Sequence, residues 1–568
     1  MSNLKYFIKL FVFWLFYFFI NRLFFIANYF EEFSQVTTNE LLQIVPKSIG
    51  LDISFVAYLS AVITLVLFFN TISCSKQLVI DENSYIIKNI SIIDPIDGLQ
   101  PNKHVVVGED LITMILDKDS DFIANDNKII DGSGKYLIPG LWDAHVHFSY
   151  DKSLTSSMPR LFLAYGITSV RDTGGPIDYV LQMKDSSVLD TIQNPSVYIA
   201  GPLIDGTPNV YNNSSPSFPL LSIENNDVID IESNVLGLID KEVDFLKAYE
   251  MLNENQFLAL MRIAKERDLN VTGHIPLSMT LFSAVNSGLN GIEHLRNFEL
   301  SIASNSEELY KERLELLKNP NNLPGSTLRS SIHSKQRMSA IDSVDYNKFE
   351  EAANLLASKN VWQTPTLFLY KNYSQKIYTD PSFISELNKL PDQVKQKWIN
   401  EISDTDTVID KSSLRYSKWV RAAVGKLHKK NVPFMAGTDT PIGYLIPGRS
   451  LHKELEVLVE SGFSNLEAIK TATVNPATFL GLEGKVGRIK NGYKADLVIL
   501  NSNPLDDIRN TQKINTVIKN GYLLSRDSLV SAMIQQRYNQ RLSITAQISP
   551  FKDFNIDLSL DKTFDKQY

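Results

Sequence analysis

The sequence predicts an α/β chain built on a (β/α)8 TIM barrel, with a small β-sandwich domain formed by both flanks and an N-terminal membrane-helix segment. Three observations support this prediction. Strand-like runs alternate with amphipathic helical runs between residues 137 and 480, as in parallel strands joined by helices. Short β-prone runs separated by turn signals lie at 76–136 and 481–530. Residues 1–75 contain long apolar stretches.

Composition limits the chemistry that this chain can carry. Its 568 residues exceed what one core usually serves, so we expect several domains. The formal net charge of −8, without a block of lysines and arginines, argues against a nucleic-acid partner. Because Cys74 is the one cysteine, the chain has neither a disulfide framework nor a cysteine-based zinc site. Any metal site must use His, Asp, Glu or a modified Lys, and the chain has only eight histidines.

The first 75 residues are predicted to form a membrane anchor with one or two transmembrane helices. The stretch 53–75 contains no charged residue, and about 20 apolar residues suffice to cross a bilayer. Residues 4–30 are rich in Phe, Leu, Ile, Tyr and Trp, but Lys5, Lys9 and Arg22 interrupt them. We therefore expect the second stretch to be a transmembrane helix or an uncleaved signal, and the first to be a further span.

The sequence is compatible with either side of the membrane for the rest of the chain. Lys5 and Lys9 favour a cytoplasmic N-terminus, and two spans would return the chain to the cytoplasm. The segment Thr71-Ile72-Ser73-Cys74, however, is similar to a bacterial lipobox, except that Thr stands where Leu is usual. Cys74 would then be lipidated after export. We expect a membrane-associated protein of a bacterial cell envelope, with the exported or lipoprotein form favoured over the cytoplasm-facing form.

Eight strand candidates between residues 137 and 480 give the count of a (β/α)8 barrel. They lie at 137–147, 168–171, 196–200, 243–247, 270–274, 291–294, 361–365 and 432–437. Two long polar inserts, at about 300–350 and 370–415, have the Glu- and Lys-rich texture of helices. We expect them to form a lid over the C-terminal face of the barrel, or exposed loops. The tail at 531–568 has no clear pattern.

Four of the eight histidines end predicted strands, where barrel enzymes place their chemistry. His145 and His147 follow the Pro139-Gly turn, and side chains that alternate along a strand put both on the same face. Two imidazoles on one face form half of a metal site. His274 and His294 end two further candidates. A single histidine is more often hydrogen-bonded in a core, but four at strand ends favour a metal centre.

Two further residues at strand ends could complete this centre. Asp439 follows the last predicted strand, where a carboxylate can ligate a metal and act as a general base. A helix N-cap or turn residue is an equal alternative. Lys247 ends the strand at 243–247. Lysines usually lie on the surface, but an ammonium at the barrel mouth would repel metal cations, and reaction with CO2 would convert it to a carbamate that can bridge two metals.

Other polar residues near these motifs are given structural roles. Arg171 and Asp172 are expected to form a buried pair that shapes a loop. We do not expect either His452 or Tyr249 to contact the substrate.

With these residues, the chain resembles the amidohydrolase superfamily and is most similar to its imidazolonepropionase-like and Xaa-Pro dipeptidase (prolidase)-like branch. The resemblance covers about residues 80–525. The motifs that carry it are Leu137-Ile-Pro-Gly-Leu-Trp-Asp-Ala-His-Val-His, Gly166-Ile-Thr-Ser-Val-Arg-Asp-Thr-Gly-Gly, Val243-Asp-Phe-Leu-Lys, Thr272-Gly-His-Ile-Pro, Gly291-Ile-Glu-His-Leu, Ala436-Gly-Thr-Asp-Thr and Gly492-Tyr-Lys-Ala-Asp-Leu-Val-Ile-Leu.

The resemblance implies a barrel with a split β-sandwich and a centre for two divalent metal ions. The implied ligands are His145, His147 and Asp439 for one metal, and His274 and His294 for the other. A carbamate on Lys247 and a hydroxide would bridge the two ions. Zinc is the usual metal in the family, and these ligands also suit Mn2+ or Fe2+.

The implied reaction is hydrolysis of a C–N bond in a small-molecule amide, lactam or dipeptide. A metal-bridged hydroxide would attack the carbonyl, and Asp439 would be the catalytic base that returns the proton to the leaving nitrogen. The alternative is a single-metal deaminase of the same superfamily, which shares the paired histidines and the late Asp but needs no Lys247. An inactive scaffold is disfavoured because every implied ligand is present.

Overall fold

The computed structural model describes residues 12–14, 16–21, 37, 39, 78–125, 128–405, 408–525 and 529. The predicted transmembrane stretch at 53–75, Cys74 and the tail at 531–568 lie outside the described residues. Within the described part of the chain, no helix is both long and apolar enough to span a membrane.

The chain divides into two compact units. One comprises Met1–Val79 with Asp121–Ile123, and the other comprises Ile80–Ser120 with Ala124–Tyr568. The second unit contains both the barrel and the small β-sheet, and the site described below lies within it.

The strands are β1 (Leu78–Val79), β2 (Ser84–Asp94), β3 (Gly98–Gly108), β4 (Leu111–Asp117), β5 (Phe122–Ile123), β6 (Ile129–Asp131), β7 (Tyr136–Pro139), β8 (Leu141–Val146), β9 (Ile167–Asp172), β10 (Ser196–Ile199), β11 (Leu203–Asp205), β12 (Ser222–Glu224), β13 (Leu246–Ala248), β14 (Val271–Gly273), β15 (Gly291–Glu293), β16 (Trp362–Thr364), β17 (Leu497–Leu500), β18 (Ile514–Lys519) and β19 (Tyr522–Ser525).

The α-helices are α1 (Lys152–Thr155), α2 (Met158–Ala164), α3 (Ile177–Leu189), α4 (Val228–Asp240), α5 (Glu254–Glu266), α6 (Leu281–Asn286), α7 (Phe298–Ser301), α8 (Ser306–Leu317), α9 (Gly325–Asp342), α10 (Tyr346–Ser358), α11 (Leu367–Gln375), α12 (Pro381–Glu386), α13 (Asp392–Ser403), α14 (Lys411–His428), α15 (Arg449–Glu460), α16 (Asn465–Thr471) and α17 (Val474–Phe479). Short 3-10 helices lie at Ile377–Thr379, Leu387–Lys389, Ile442–Tyr444 and Ile508–Gln512.

Both flanks of the chain contribute to the small β domain, as the sequence predicts. Its strands run in the order β19-β18-β17-β7-β2-β3-β4, with β6 beside β2. Strand β17 pairs antiparallel with β7 and with β18, so the C-terminal flank joins the N-terminal one by direct hydrogen bonding. Both flanks thus form one eight-stranded sheet, which encloses a core that includes Ile92, Val105 and Leu497.

The predicted first barrel strand, 137–147, is divided into two strands. Pro139 has no amide hydrogen to donate to a ladder, and Gly140 follows it between β7 and β8. A Cβ on Gly140 would come within 2.1 Å of the Thr168 hydroxyl oxygen, so β8 can approach β9 only with glycine at this position. The segment therefore changes sheets here: β7 belongs to the small domain, whereas β8 opens the barrel.

The remaining predicted strands form the barrel in chain order. Strands β8, β9 and β10 are parallel neighbours, and β13, β14, β15 and β16 form a second parallel series. The backbone of Asp244 joins the two series, since its N–H donates to the carbonyl of Ile199 at 2.9 Å. The eighth segment is irregular, and it closes the barrel through parallel bridges of Phe434 with Gln363 and of Thr440 with Val146.

Both polar inserts fold into helices. The segment 300–350 contains α8, α9 and the start of α10, and the segment 370–415 contains the end of α11, α12, α13 and the start of α14. From α9, Arg329 and His333 contact the buried Glu250, which lies just beyond strand β13 at the barrel mouth. This helix therefore packs over the C-terminal face, as expected for a lid.

Candidate metal centre

The C-terminal ends of the barrel strands bring all six predicted ligands to one cavity. They come from β8 and the residue after it, from β13, from the residues that follow β14 and β15, and from the eighth segment. The residues are His145, His147, Lys247, His274, His294 and Asp439. Each of these side chains is buried.

Asp439 lies at the centre of the cluster. Its Oδ1 is 3.2 Å from Nε2 of His145 and 3.2 Å from Nε2 of His147. Its Oδ2 is 3.9 Å from Nε2 of His294. The ligand atoms of His145, His294 and Asp439 all lie within 4.8 Å of one another, which is a spacing that can hold a metal ion.

Each imidazole is oriented through the same ring nitrogen. In all four histidines Nδ1 is hydrogen-bonded to the protein, which fixes the ring orientation as in most metal-ligating histidines. The partners are Glu293 for His145, the carbonyl of Gly174 for His147, Glu250 for His274 and Thr366 for His294. Where Nδ1 donates to a carboxylate or carbonyl, a neutral ring has no proton on Nε2, so that nitrogen is available as a ligand.

Two unsatisfied atoms test whether a cation fits this arrangement. Nε2 of His145 and Oδ1 of Asp439 are buried and have no hydrogen-bond partner among the described residues. An imidazole lone pair therefore faces a carboxylate oxygen, and burying two such acceptors together is costly. A divalent cation would satisfy both, so the residues present fit a metal ion.

Electrostatics favour the protonation states that a metal requires at three of the ligands, whereas the Asp439 carboxylate raises the pKa of His147 against the effect of burial. Burial by itself raises the pKa of Asp439, but the imidazoles of His294 and His145 outweigh it and hold this pKa well below its usual range. Burial lowers the pKa of His274 to about 3 and that of His294 well below its ordinary value. The carboxylate is therefore ionised and these two imidazoles are neutral at physiological pH.

The backbone at this cluster is strained. His294 has a φ of 60° and Asp439 has a φ of 71°, which is a left-handed conformation that non-glycine residues rarely adopt. Such conformations cost about 1–3 kcal/mol each and tend to occur at functional sites. Gly437 permits the close approach of the last segment, because a Cβ there would lie 2.7 Å from Cβ of His145.

Lys247 extends from β13 into the same cavity. Its side chain is 1% exposed, and its ammonium forms neither a hydrogen bond nor an ion pair with any described residue. Burial lowers its pKa to about 8, although the charge of Glu293 acts in the opposite direction. A lysine with a lowered pKa has an appreciable fraction of neutral amine, which is the form that reacts with CO2.

Glu293 is a buried residue that the sequence analysis did not identify. It accepts hydrogen bonds from His145 at 2.8 Å, Arg171 at 2.6 Å and Thr272 at 2.6 Å. The expected pairing of Arg171 with Asp172 is therefore wrong, because Asp172 instead accepts backbone N–H bonds from Phe148 and Gly174. Neighbouring strand residues point to opposite faces, so Arg171 reaches the barrel interior while Asp172 holds the loop after β8.

We expected neither His452 nor Tyr249 to contact the substrate, and the structure places these two residues differently. His452 is hydrogen-bonded through its ring nitrogens to Thr511 and to the carbonyl of Tyr165, and it does not line the cavity of the metal centre. Tyr249, which was also not assigned to the site, does line that cavity, with its ring centroid 4.5 Å from that of His274. The segment after β13 therefore contributes more of the site than Lys247 alone.

The chain is similar to named proteins over parts of its length. An adenine deaminase from Methanocaldococcus jannaschii is 26% identical over 204 residues, which cover 34% of this chain and 34% of that protein. An ochratoxinase from Aspergillus niger is 38% identical over 91 residues, which cover 16% of this chain and 18% of that protein. The chain thus matches about a third or less of the length of these curated relatives.

A solved structure shares the fold over a longer range. The crystal structure of a Xaa-Pro dipeptidase with bound methionine superposes with a TM-score of 0.56 at 19% identity, covering 78% of this chain and 100% of that chain. At this identity the likeness concerns the fold alone. The profile of the Amidohydrolase family matches residues 136–524, which is more than half of the chain and includes every residue of the centre. The chain therefore belongs to the amidohydrolase family.

Proposed function

We propose that this amidohydrolase is a metal-dependent hydrolase that cleaves the C–N bond of a small amide, lactam or dipeptide. The observation that carries the proposal is the convergence of Nε2 of His145 and His147 on the Asp439 carboxylate, at 3.2 Å each. Divalent cations at such a centre polarise the scissile carbonyl and lower the pKa of water.

The proposed ligands form two sets, one for each metal ion, with Lys247 between them. His145, His147 and Asp439 would hold one ion, and His274 and His294 would hold the other. Five histidine and aspartate ligands exceed what one tetrahedral zinc accepts. Lys247, once carbamylated, would add an anionic oxygen ligand between the two sets. Zn2+ suits these donors best, and Mn2+ or Fe2+ are also compatible with them.

Asp439 would move the proton during hydrolysis. The low pKa of its carboxylate keeps it ionised, so it can accept a proton from the attacking water. Because Asp439 lines the cavity at the metal centre, the proton that it accepts would be available for the leaving nitrogen.

A single-metal deaminase is the second candidate. Two observations favour it: His145, His294 and Asp439 form a compact three-ligand set, and one named relative is an adenine deaminase. Lys247 argues for the two-metal hydrolase, since a deaminase with one metal needs no anion at that position.

One experiment separates these candidates. The full-length protein is purified with its metal, its metal content is measured by elemental analysis, and it is incubated with a library of dipeptides, N-acyl amino acids, lactams and aminopurines. We expect two metals per chain and release of amine and carboxylate products. One metal per chain with release of ammonia from an aminopurine would instead establish the deaminase.

We also propose that the N-terminus attaches the enzyme to a bacterial membrane. The uncharged stretch 53–75 and the lipobox-like sequence ending at Cys74 support this proposal. The exported or lipoprotein form is favoured over the cytoplasm-facing form.

A further inference from the structure

A second cavity adjoins the metal centre. The cavity at the centre has a volume of about 40 Å³, which is room for ions and water but not for an organic substrate. The neighbouring cavity has a volume of about 480 Å³, which is within the range of small-molecule sites. Arg296 and Arg329 line both cavities. These two arginines therefore mark the boundary between the reacting end of a substrate and the rest of it.

Arg296 is an unpaired cation at this boundary. It lies two residues after His294, and its Nε is buried without a hydrogen-bond partner among the described residues. Its guanidinium is 6.0 Å from the centre of the Tyr370 ring and forms no ion pair within the described chain. The residue is half-buried, and a partly desolvated guanidinium without an anion is unfavourable, so its position favours an anionic ligand.

The other charges around the outer cavity are already engaged. Arg329 donates to Glu250 at 2.9 Å, and Arg337 lies 3.6 Å from Glu299. Asp410, the acidic residue of this lining, caps the start of α14 by accepting from backbone N–H groups. Arg296 is thus left with positive charge that no neighbouring carboxylate neutralises through a direct contact.

We propose that Arg296 binds a free carboxylate carried by the substrate, so that this enzyme acts on amides of the N-acyl amino acid or dipeptide class. This inference rests on the proposed hydrolase function and names its substrate class. The planar guanidinium matches a carboxylate with two parallel hydrogen bonds. Aromatic rings of the outer cavity, including Tyr370, Tyr373 and Tyr416, would surround an apolar side chain of the same substrate.

Binding can be measured without any reaction. The metal-loaded full-length protein is titrated by calorimetry with 3-phenylpropanoate, with the neutral 3-phenylpropan-1-ol and with 2-phenylethylphosphonate. We expect the carboxylate to bind at least tenfold more tightly than the alcohol. Arg296→Met should weaken its binding about tenfold to a hundredfold, as expected from losing charge-assisted hydrogen bonds. Arg262→Met, at an exposed pair on α5, is the matched control and should change nothing.

Each outcome decides the proposal. If Arg296→Met binds the carboxylate as tightly as the wild type does, the proposal is overturned. This result is expected if the carboxylate ligates the metals instead. Tighter binding of the phosphonate than of the carboxylate by tenfold or more reassigns the subsite to a phosphoryl group and also overturns it. Equal affinities for the alcohol and the carboxylate would also overturn the proposal.

Catalysis provides a separate readout. For any library substrate that is hydrolysed, the version with a carboxamide in place of its carboxylate should have a KM at least tenfold higher. Arg296→Met should raise KM for the carboxylate form and leave KM for the carboxamide form unchanged, with metal content intact. If no library member is hydrolysed, the proposed function fails, whereas the calorimetric comparison still tests the carboxylate subsite.

Discussion

Nδ1 of His274 donates a hydrogen bond of 2.7 Å to Oε1 of Glu250, which joins a predicted metal ligand to a fully buried carboxylate. The same carboxylate accepts hydrogen bonds from Arg329 at 2.9 Å and from His333 at 2.5 Å, and both donors belong to α9 of the first insert. Burial raises the pKa of Glu250, but the guanidinium of Arg329 and the hydrogen bonds from His333 and His274 outweigh it and hold this pKa well below its usual range. The insert thus stabilises the residue that orients His274.

Replacing Glu250 should weaken the metal centre. Glu250→Gln removes the negative charge that accepts the imidazole proton, so His274 loses its fixed orientation. Changes at such supporting residues typically reduce metal affinity by about 10–100-fold. Competition with a chelator measures the affinity, and Glu254→Gln, at the exposed start of α5, is the control. Affinity equal to that of the wild type would mean that Glu250 does not orient the ligand.

The elements that can be predicted from the sequence are those with a local sequence pattern. Seven of the barrel strands overlap the segments that the sequence predicts, and the eighth segment is irregular. The strands can be predicted because buried apolar runs followed by polar strand ends are visible within a few residues. The partners of Glu250 are not visible in this way, since Arg329 and His333 lie 79 and 83 residues away in the chain. Glu293 and His145 are 148 residues apart. Only the closed barrel brings such partners together.

Glu293 should be essential for stability. Its carboxylate is 0% exposed and balances the buried Arg171 guanidinium at 2.6 Å. Removing one partner of a buried ion pair leaves an uncompensated charge and costs about 3–5 kcal/mol. We expect Glu293→Gln to lower the free energy of unfolding by about that amount in urea denaturation. The double variant Arg171→Met/Glu293→Gln should lose less than the single one, and an equal or greater loss would contradict the ion-pair explanation.

Asp439 should be required for turnover as well as for metal binding. Asp439→Asn keeps the size of the side chain but removes the base, and general bases contribute about 10²–10⁴-fold to rates. We expect a loss of turnover of at least about that size, measured with a library substrate. Asp227→Asn is the matched control, because Asp227 is an exposed N-cap of α4 and Asn can replace it there. Turnover within about tenfold of the wild type, with intact metal content, would exclude the assigned role.

The N-terminal segment should hold the protein in the membrane fraction. An uncharged stretch of this length resists extraction by salt or alkaline washing. Deletion of residues 1–75 should therefore move the protein to the soluble fraction, and unchanged fractionation would exclude the anchor. Cys74→Ala separates the two forms of attachment, because a lipoprotein alone loses the mass of its acyl chains. Mass spectrometry of the wild type and of the variant provides the measurement.

Lys247 decides between the two candidate reactions. Its buried amine lies in the cavity with four imidazoles and Asp439, and its pKa of about 8 leaves part of it neutral and reactive toward CO2. An unmodified ammonium in that position would repel metal ions, whereas a carbamate would neutralise part of their charge. Lys247→Ala should therefore reduce bound metal from two per chain to one or none and abolish hydrolysis.

The lost group in this variant is a carboxylate at the end of a long arm, so small carboxylic acids can enter the space that it leaves. We expect acetate or propionate to restore part of the activity of Lys247→Ala and to leave the wild type unchanged. Lys265→Ala, on the exposed face of α5, should retain both metals and full activity. Two metals retained in Lys247→Ala, measured by elemental analysis, would exclude a bridging role for this residue. One metal per chain in the wild type would favour the single-metal deaminase, because of the two candidates it is the one that needs no anion between two ions.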